Sequence, residues 1–474
     1  MKNPNAIRSL PLFKQCLIRV SYKSLKKCNT STRLILPAAL VLMFSACSVA
    51  KKISRQADAI LLKDSVISSG HIGISIYEPA TDKYWYNWNA AKYFTPASNT
   101  KLFSLYAGLK YLGDSLTAVR YWTQENNLFI LPAGDPTFLH PDFNKQPLLD
   151  LINTTKDTIF ISLKDTIIPY GQGWAWDDFD QGYVAERSML PVFGNQLWLS
   201  SKPVLTKGLS GKGLSDTKHS IAAQSLYIQP AYFTKDIWYQ KNSLYARKQN
   251  ENKFSIDSIT GLTNIPFISN NGITQLEILG DITQKPIKSF TSDLKPYKEY
   301  KVLKSQPTDS LLTPMMHNSD NFFAEQTLLM ASNEHIGFMN DLAIIDTLLK
   351  KDFIDIPQKP GWVDGSGLSR YNLFTPQSFV YLLNKMKNEF GLERLKTILP
   401  TGGTGTLKNY YATDSSFIYA KTGSLSGCIA LSGYLITQKN KLLIFSVLTN
   451  NFKGRATAVR RAVEKFISGI RRDY

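Results

Sequence analysis

Thr95-Pro96-Ala97-Ser98-Asn99-Thr100-Lys101 leads into LFSLYAGLKYL at 102–112. Its apolar residues recur at helical spacing, which predicts a helix over roughly 99–112. On a helix, positions three apart share a face, so Lys101 meets Ser98. The helix N-terminus also favours negative charge developing there. A serine hydroxyl is a poor nucleophile until a neighbour removes its proton. Lys101 can do so only when neutral, so its pKa must fall; a second nearby cation, with Lys421 the natural candidate, would push it down. Ser-x-x-Lys alone means little: it recurs at Ser24, Ser48, Ser215 and Ser292. Taken singly, Ser98 is a helix cap and Lys101 a solvated charge. Context at a helix start selects this copy.

Two further triplets follow in order. Ser319-Asp320-Asn321 opens the apolar-periodic run NFFAEQTLLMA. A helix start there presents Ser319 and Asn321 to a cleft, Ser319 to relay a proton to a departing amine, Asn321 to hold a substrate amide and fix Lys101. Capping by Ser319 or Asp320 is compatible with this. The rival Ser269-Asn270-Asn271-Gly272 reads as a turn between strands. Lys421-Thr422-Gly423 occurs once, ends a β-type run and continues as Ser424-Leu425-Ser426-Gly427. A strand edge with glycine lets a peptide lie alongside. Lys421 and Thr422 can bind a terminal carboxylate, and the backbone N–H groups of Ser98 and Ser424 can form an oxyanion hole.

Around these motifs the chain reads as an α+β fold divided in sequence. HIGISIYE (71–78) and KYWYNWN (83–89) form a predicted hairpin. FIYAKTG, CIALSGYLI and KLLIFSVLT supply three more strands, and AVRRAVEKFISGIRR a closing helix. The expected catalytic domain, a five-stranded antiparallel sheet flanked by helices, takes residues 48–119 and 299–474. Residues 120–298 form a β-rich insertion, in which YIQPAYF, SIDSITG and QLEILGDI fit strands better than helices. A second helical region is expected from 315 to about 349, its last part a separate helix.

In order and context, the three motifs resemble the set shared by β-lactamases and penicillin-binding proteins. The chain resembles most the D-alanyl-D-alanine carboxypeptidase/endopeptidase family, the low-molecular-mass class C penicillin-binding proteins. Gly134-Asp135-Pro136-Thr137, Trp176-Asp177-Asp178 through Asn195, Asp364-Gly365-Ser366-Gly367-Leu368-Ser369-Arg370 and LPTGGTGTLKN at 399–409 resemble further elements of that family. Lys408 departs from it, standing where members often carry arginine. The resemblance implies a penicillin-binding/β-lactamase-like fold and cleavage of the D-alanyl-D-alanine end, or of cross-links, of peptidoglycan stem peptides. Ser98 would be acylated, with Lys101, Ser319, Asn321 and Lys421 catalytic. Thr422, Gly423 and Ser424 would bind substrate, with Arg370 framing the cleft, and β-lactams would be covalent inhibitors. Two alternatives stay open: a β-lactamase, although no Glu-x-x-Leu-Asn string is present, and a retired wall-binding or β-lactam-sensing lipoprotein.

The 474 residues carry a net charge of +18, of which residues 1–46 hold eight basic groups and no acid. No nucleic-acid motif accompanies the charge, so a nucleic-acid partner is not expected. Residues 34–44, LILPAALVLMF, are too short to cross a bilayer, which takes about 20 residues. With Ser45-Ala46-Cys47 they resemble a bacterial lipoprotein signal over 1–46. Acylated Cys47 would anchor the protein in the periplasm. Cys16 and Cys28 would be removed with the signal, leaving Cys428 as a buried small side chain and no disulfide. The five histidines lack metal-ligand spacing, so neither metal nor cofactor is expected.

Overall fold

The computed structural model describes residues 49–202, 218–221, 224–244, 246–257, 259, 261–292 and 300–474. The expected signal and Cys47 lie outside the described residues. Contacts divide the chain into Met1–Lys52 and Ile53–Tyr474, and the second unit carries everything below.

Five strands form the central antiparallel sheet: β1 (His71–Glu78), β2 (Lys83–Trp88), β3 (Ile418–Leu425), β4 (Cys428–Ile436) and β5 (Leu442–Asn450), in the order β3-β4-β5-β1-β2. Both chain ends thus build one sheet, as their apolar runs predict. β4 and β5 are buried nearly throughout, so helices cover both faces. Ala430, Tyr434, Ile444 and Leu448 join the larger core with Phe379, Leu382 and Leu383 of the helix Pro376–Phe390. The closing helix Ala456–Asp473 packs on β4; its Val459, Val463, Phe466, Ile467 and Ile470 form one buried stripe at helical spacing. Cys428 is buried on β4 and unpaired.

Two helices carry the site beside β3. α1 (Lys101–Tyr111) follows a 3-10 turn at Ala97–Thr100. α2 (Asn321–Ile336) begins where the Asp320 carboxylate accepts the Phe323 N–H at 2.8 Å. Eleven successive residues of α2, Phe322 to Ser332, are buried, because it runs through the core rather than over it.

The segment between α1 and α2 has a core of its own. A five-stranded mixed sheet joins Ser115–Gln124, Asn127–Pro132, Thr158–Ser162, Ile287–Phe290 and Lys301–Pro307. Ser115–Gln124 and Lys301–Pro307 pair with each other, so this sheet reaches past the boundaries expected at 120 and 298. QLEILGDI is not a strand but part of the helix Ile273–Thr283. Its buried Gln275, Ile278, Leu279 and Ile282 follow the i, i+3, i+4, i+7 pattern, and that period outweighs β propensity. The turn at Ser269-Asn270-Asn271-Gly272 accordingly leads from the strand Thr263–Pro266 into that helix, not into a strand. Within YIQPAYF, only Tyr-Ile-Gln is strand; Ala231–Asp236 is a 3-10 helix. Gln326 of α2 donates to the Gly134 and Ser188 carbonyls at 2.8 and 2.9 Å, tying the inserted segment to the site helix.

Candidate active site

Ser98 sits in the turn before α1, and Lys101 begins the helix. Lys101 Nζ lies 2.9 Å from Ser98 Oγ, 2.6 Å from Asn321 Oδ1 and 2.7 Å from the Ser366 carbonyl oxygen. The Asn321 amide is oriented by its own Nδ2, which donates to the Tyr183 carbonyl at 2.9 Å. Lys421 on β3 donates to Ser319 Oγ and to the Thr422 carbonyl, both at 2.8 Å. Three distant segments therefore meet, as their motifs predict. Ser98, Ser319, Asn321, Arg370 and Ser424 line one cleft of about 550 Å³. Thr422 faces an adjoining pocket instead. Arg370 reaches the cleft by donating to the Ser426 carbonyl.

Both lysines are fully buried. Burial pulls Lys101 down to about 8, against the carboxylates of Asp364, Asp320 and Glu325. Lys421 is held well below its usual value by burial and then by Lys101. This corrects the sequence expectation: desolvation, rather than Lys421, depresses Lys101.

Backbone geometry brings the nucleophile to the strand. Ala97 and Ser319, at φ 49° and 58°, occupy the left-handed region that side-chain-bearing residues usually avoid. A Cβ on Gly423 would lie 2.5 Å from the Pro96 carbonyl oxygen and 3.1 Å from the Ser98 nitrogen. Glycine there lets β3 press against the serine turn, and Ser98 and Ser424 line the same cleft.

Four contributors were not singled out in the sequence. Asn99 bridges the turn to the sheet, its Nδ2 donating to the Lys421 carbonyl at 2.6 Å and its oxygen accepting from Leu431 N–H. Asn99→Ala is expected to lower stability by about 1–3 kcal/mol, read from urea unfolding. Asp364, fully buried, accepts from the N–H groups of Gly367 and Ser369 and from Trp174 Nε1 and Asn372 Nδ2, at 2.7–2.9 Å. It shapes the loop whose Ser366 carbonyl receives Lys101. Glu325 accepts the Ser366 N–H at 2.7 Å, and burial, then Asp364, raise its pKa to about 7. Its sequence signal was available, since Glu325 stands four residues after Asn321 on the same helix face. Trp174, by contrast, comes from a loop 190 residues before Asp364.

An antiparallel sheet whose edge strand lies against a serine at a helix head, with a buried lysine amine at its hydroxyl, is an arrangement suited to acyl transfer through serine. The sequence profile of the D-Ala-D-Ala carboxypeptidase 3 (S13) family matches residues 53–257 and 275–472, and the chain belongs to that family of serine peptidases. Penicillin-sensitive carboxypeptidase A of Dictyostelium discoideum is 23% identical over 457 residues, 83% of this chain and 85% of its own. A D-alanyl-D-alanine carboxypeptidase of an Actinomadura species is 26% identical over 464 residues, covering 86% and 82%. Penicillin binding protein 4 from Haemophilus influenzae shares the fold, with a TM-score of 0.65 at 19% identity over 88% of this chain and 98% of that one.

Proposed function

We propose that Ser98 is the acylated nucleophile of a D-alanyl-D-alanine carboxypeptidase and/or DD-endopeptidase acting on peptidoglycan stem peptides. The observation that carries this reading is the 2.9 Å approach of a fully buried Lys101 amine to the Ser98 hydroxyl. Neutral Lys101 takes the hydroxyl proton as Oγ attacks the penultimate D-alanine carbonyl. The amides of Ser98 and Ser424 hold the oxyanion. Ser319, bonded to Lys421, passes a proton to the departing nitrogen as the C–N bond breaks. Water then hydrolyses the ester and frees Ser98. Arg370 frames the acyl half of the cleft. A β-lactam enters by the same route, its ring amide in place of the peptide, and stays on Ser98 as a slowly hydrolysed ester. The related Haemophilus influenzae protein has a structure complexed with a β-lactam, at 18% identity.

The test is mass spectrometry on the enzyme and on its products. After brief exposure to a penicillin, one adduct is expected on the tryptic peptide containing Ser98. Muropeptides are expected to lose D-alanine, and cross-linked dimers to become monomers. Rapid turnover of the antibiotic without a lasting adduct would instead indicate a β-lactamase. Labelling of Ser98 without any change in muropeptides would indicate a retired sensor.

The same reading places the protein outside the inner membrane, anchored through Cys47. The basic stretch, the short apolar run and Ser45-Ala46-Cys47 support it. Fatty-acid labelling of the wild type but not of Cys47→Ser is the expected outcome.

A further inference from the structure

A second pocket of about 340 Å³ opens on the catalytic strand, lined by Thr406, Tyr410, Thr422, Ser424, Leu431 and Arg460 among others. It and the catalytic cleft meet at Ser424. The cleft continues along Leu425 and Ser426, whereas the pocket lies beside Thr422 and Gly423. This polarity has a chemical meaning. A peptide whose carbonyl rests on the amides of Ser98 and Ser424 sends its two halves in opposite directions along the strand. The proton donor Ser319 is bonded to Lys421, which directly precedes Thr422. The departing nitrogen therefore sits beside Ser319 in the cleft, with the rest of the leaving group running towards Thr422 and the pocket and the acyl half towards Leu425 and Ser426.

Among the described residues, Arg460 is the one charged group lining that pocket. Its Nη2 donates to Ser424 Oγ at 2.8 Å, and among the described residues no carboxylate pairs with it. Its helix neighbours Arg461 and Arg471 do have acidic partners, Glu464 and Asp414. A half-buried guanidinium beside the Thr422 and Ser424 hydroxyls, with no acid in the wall, is arranged for an anion. We propose that this pocket is the leaving-group subsite and that Arg460 recognises the free α-carboxylate of the departing D-amino acid. The assignment rests on the acyl-transfer reading above and adds a specificity-determining residue to it, on the closing helix rather than in any of the three motifs. The pocket is roomier than D-alanine requires, which suits a larger carboxylate-bearing amine from a cross-link.

The test compares an N-acylated peptide ending in D-alanyl-D-alanine with the same peptide as its C-terminal amide. The wild type is expected to favour the free acid in kcat/KM by roughly tenfold or more, the scale of one hydrogen bond to a charged group. In Arg460→Gln that ratio falls towards one, and Arg460→Lys retains part of it. If Arg460 merely supports Ser424, both substrates suffer alike and the ratio stays at the wild-type value; that result overturns the proposal. Should the wild type cleave neither peptide and take no penicillin adduct on Ser98, the acyl-transfer reading fails and the subsite falls with it. A cleaving wild type with no preference for the acid removes the subsite alone.

Discussion

Lys101→Arg is expected to lower the rate of Ser98 acylation by about 10³–10⁴-fold, although it leaves a basic side chain of similar reach at the position. General-base help accounts for about 10²–10⁴, and here the mispositioned bulk adds to its loss. Protonated, the lysine amine donates to all three neighbours; only the neutral form can accept the serine proton. When it is neutral, two N–H groups stay on Asn321 Oδ1 and the Ser366 carbonyl, at 2.6 and 2.7 Å, and the lone pair turns to the Ser98 hydroxyl 2.9 Å away. A guanidinium has no lone pair to offer, stays protonated, and brings five donors into a space with three acceptors. The pH profile carries the same argument. Burial lowers Lys101 to about 8. The base works unprotonated, so acylation rises with pH and is half-maximal near 8 in the wild type. In Lys101→Arg the residual rate has no such limb. Stopped-flow acylation by a chromogenic β-lactam from pH 6 to 9 measures both. A wild-type rate already level at pH 6 would exclude Lys101 as the titrating base.

What could be read from the sequence was local in character. Ser98 and Lys101 are three apart across the 3-10 turn that opens α1, and Lys421 to Ser424 run along one strand, so spacing alone gives their relative placement. The five strands of the central sheet are long apolar runs whose identity survives any error in their ends. The inserted segment was harder, because short runs such as QLEILGDI satisfy both periods and only packing decides. Asn99, Asp364 and Trp174 act through contacts that no spacing encodes. Asn99 sits inside the first motif, yet its partner Leu431 lies on a strand more than three hundred residues later. The cause of the Lys101 shift was misread for a related reason. A list of charges along a chain is visible, but the complete burial that dominates is a property of the assembled core.

The Asp364 loop shows how far the site depends on such hidden contacts, and Gly367→Ala tests it. Gly367 has φ +80°, and a Cβ there would fall 1.9 Å from the Ala97 carbonyl oxygen and 2.8 Å from Thr100 Oγ1. Ala97 cannot easily retreat, since its own backbone is left-handed and Ser98 follows it. Nor can the loop swing outward freely: Asp364 holds the Gly367 N–H at 2.8 Å, and the Ser366 carbonyl is bonded to Lys101. Relief therefore requires the serine turn and the Lys101 acceptor to part by more than an ångström. The expected costs are about 1–2 kcal/mol for a left-handed alanine and about 1–3 kcal/mol for overpacking. Acylation should fall by roughly 10²-fold, the penalty of a 1 Å misplacement. Gly337→Ala separates these effects. Gly337, at φ +85° beyond the far end of α2, has open space where its Cβ would stand. It bears the backbone penalty without the collision, so it should melt slightly earlier and acylate at the wild-type rate. If Gly367→Ala behaved like Gly337→Ala in both thermal melting and β-lactam labelling, the loop would not be what sets the distance between Ser98 and its base.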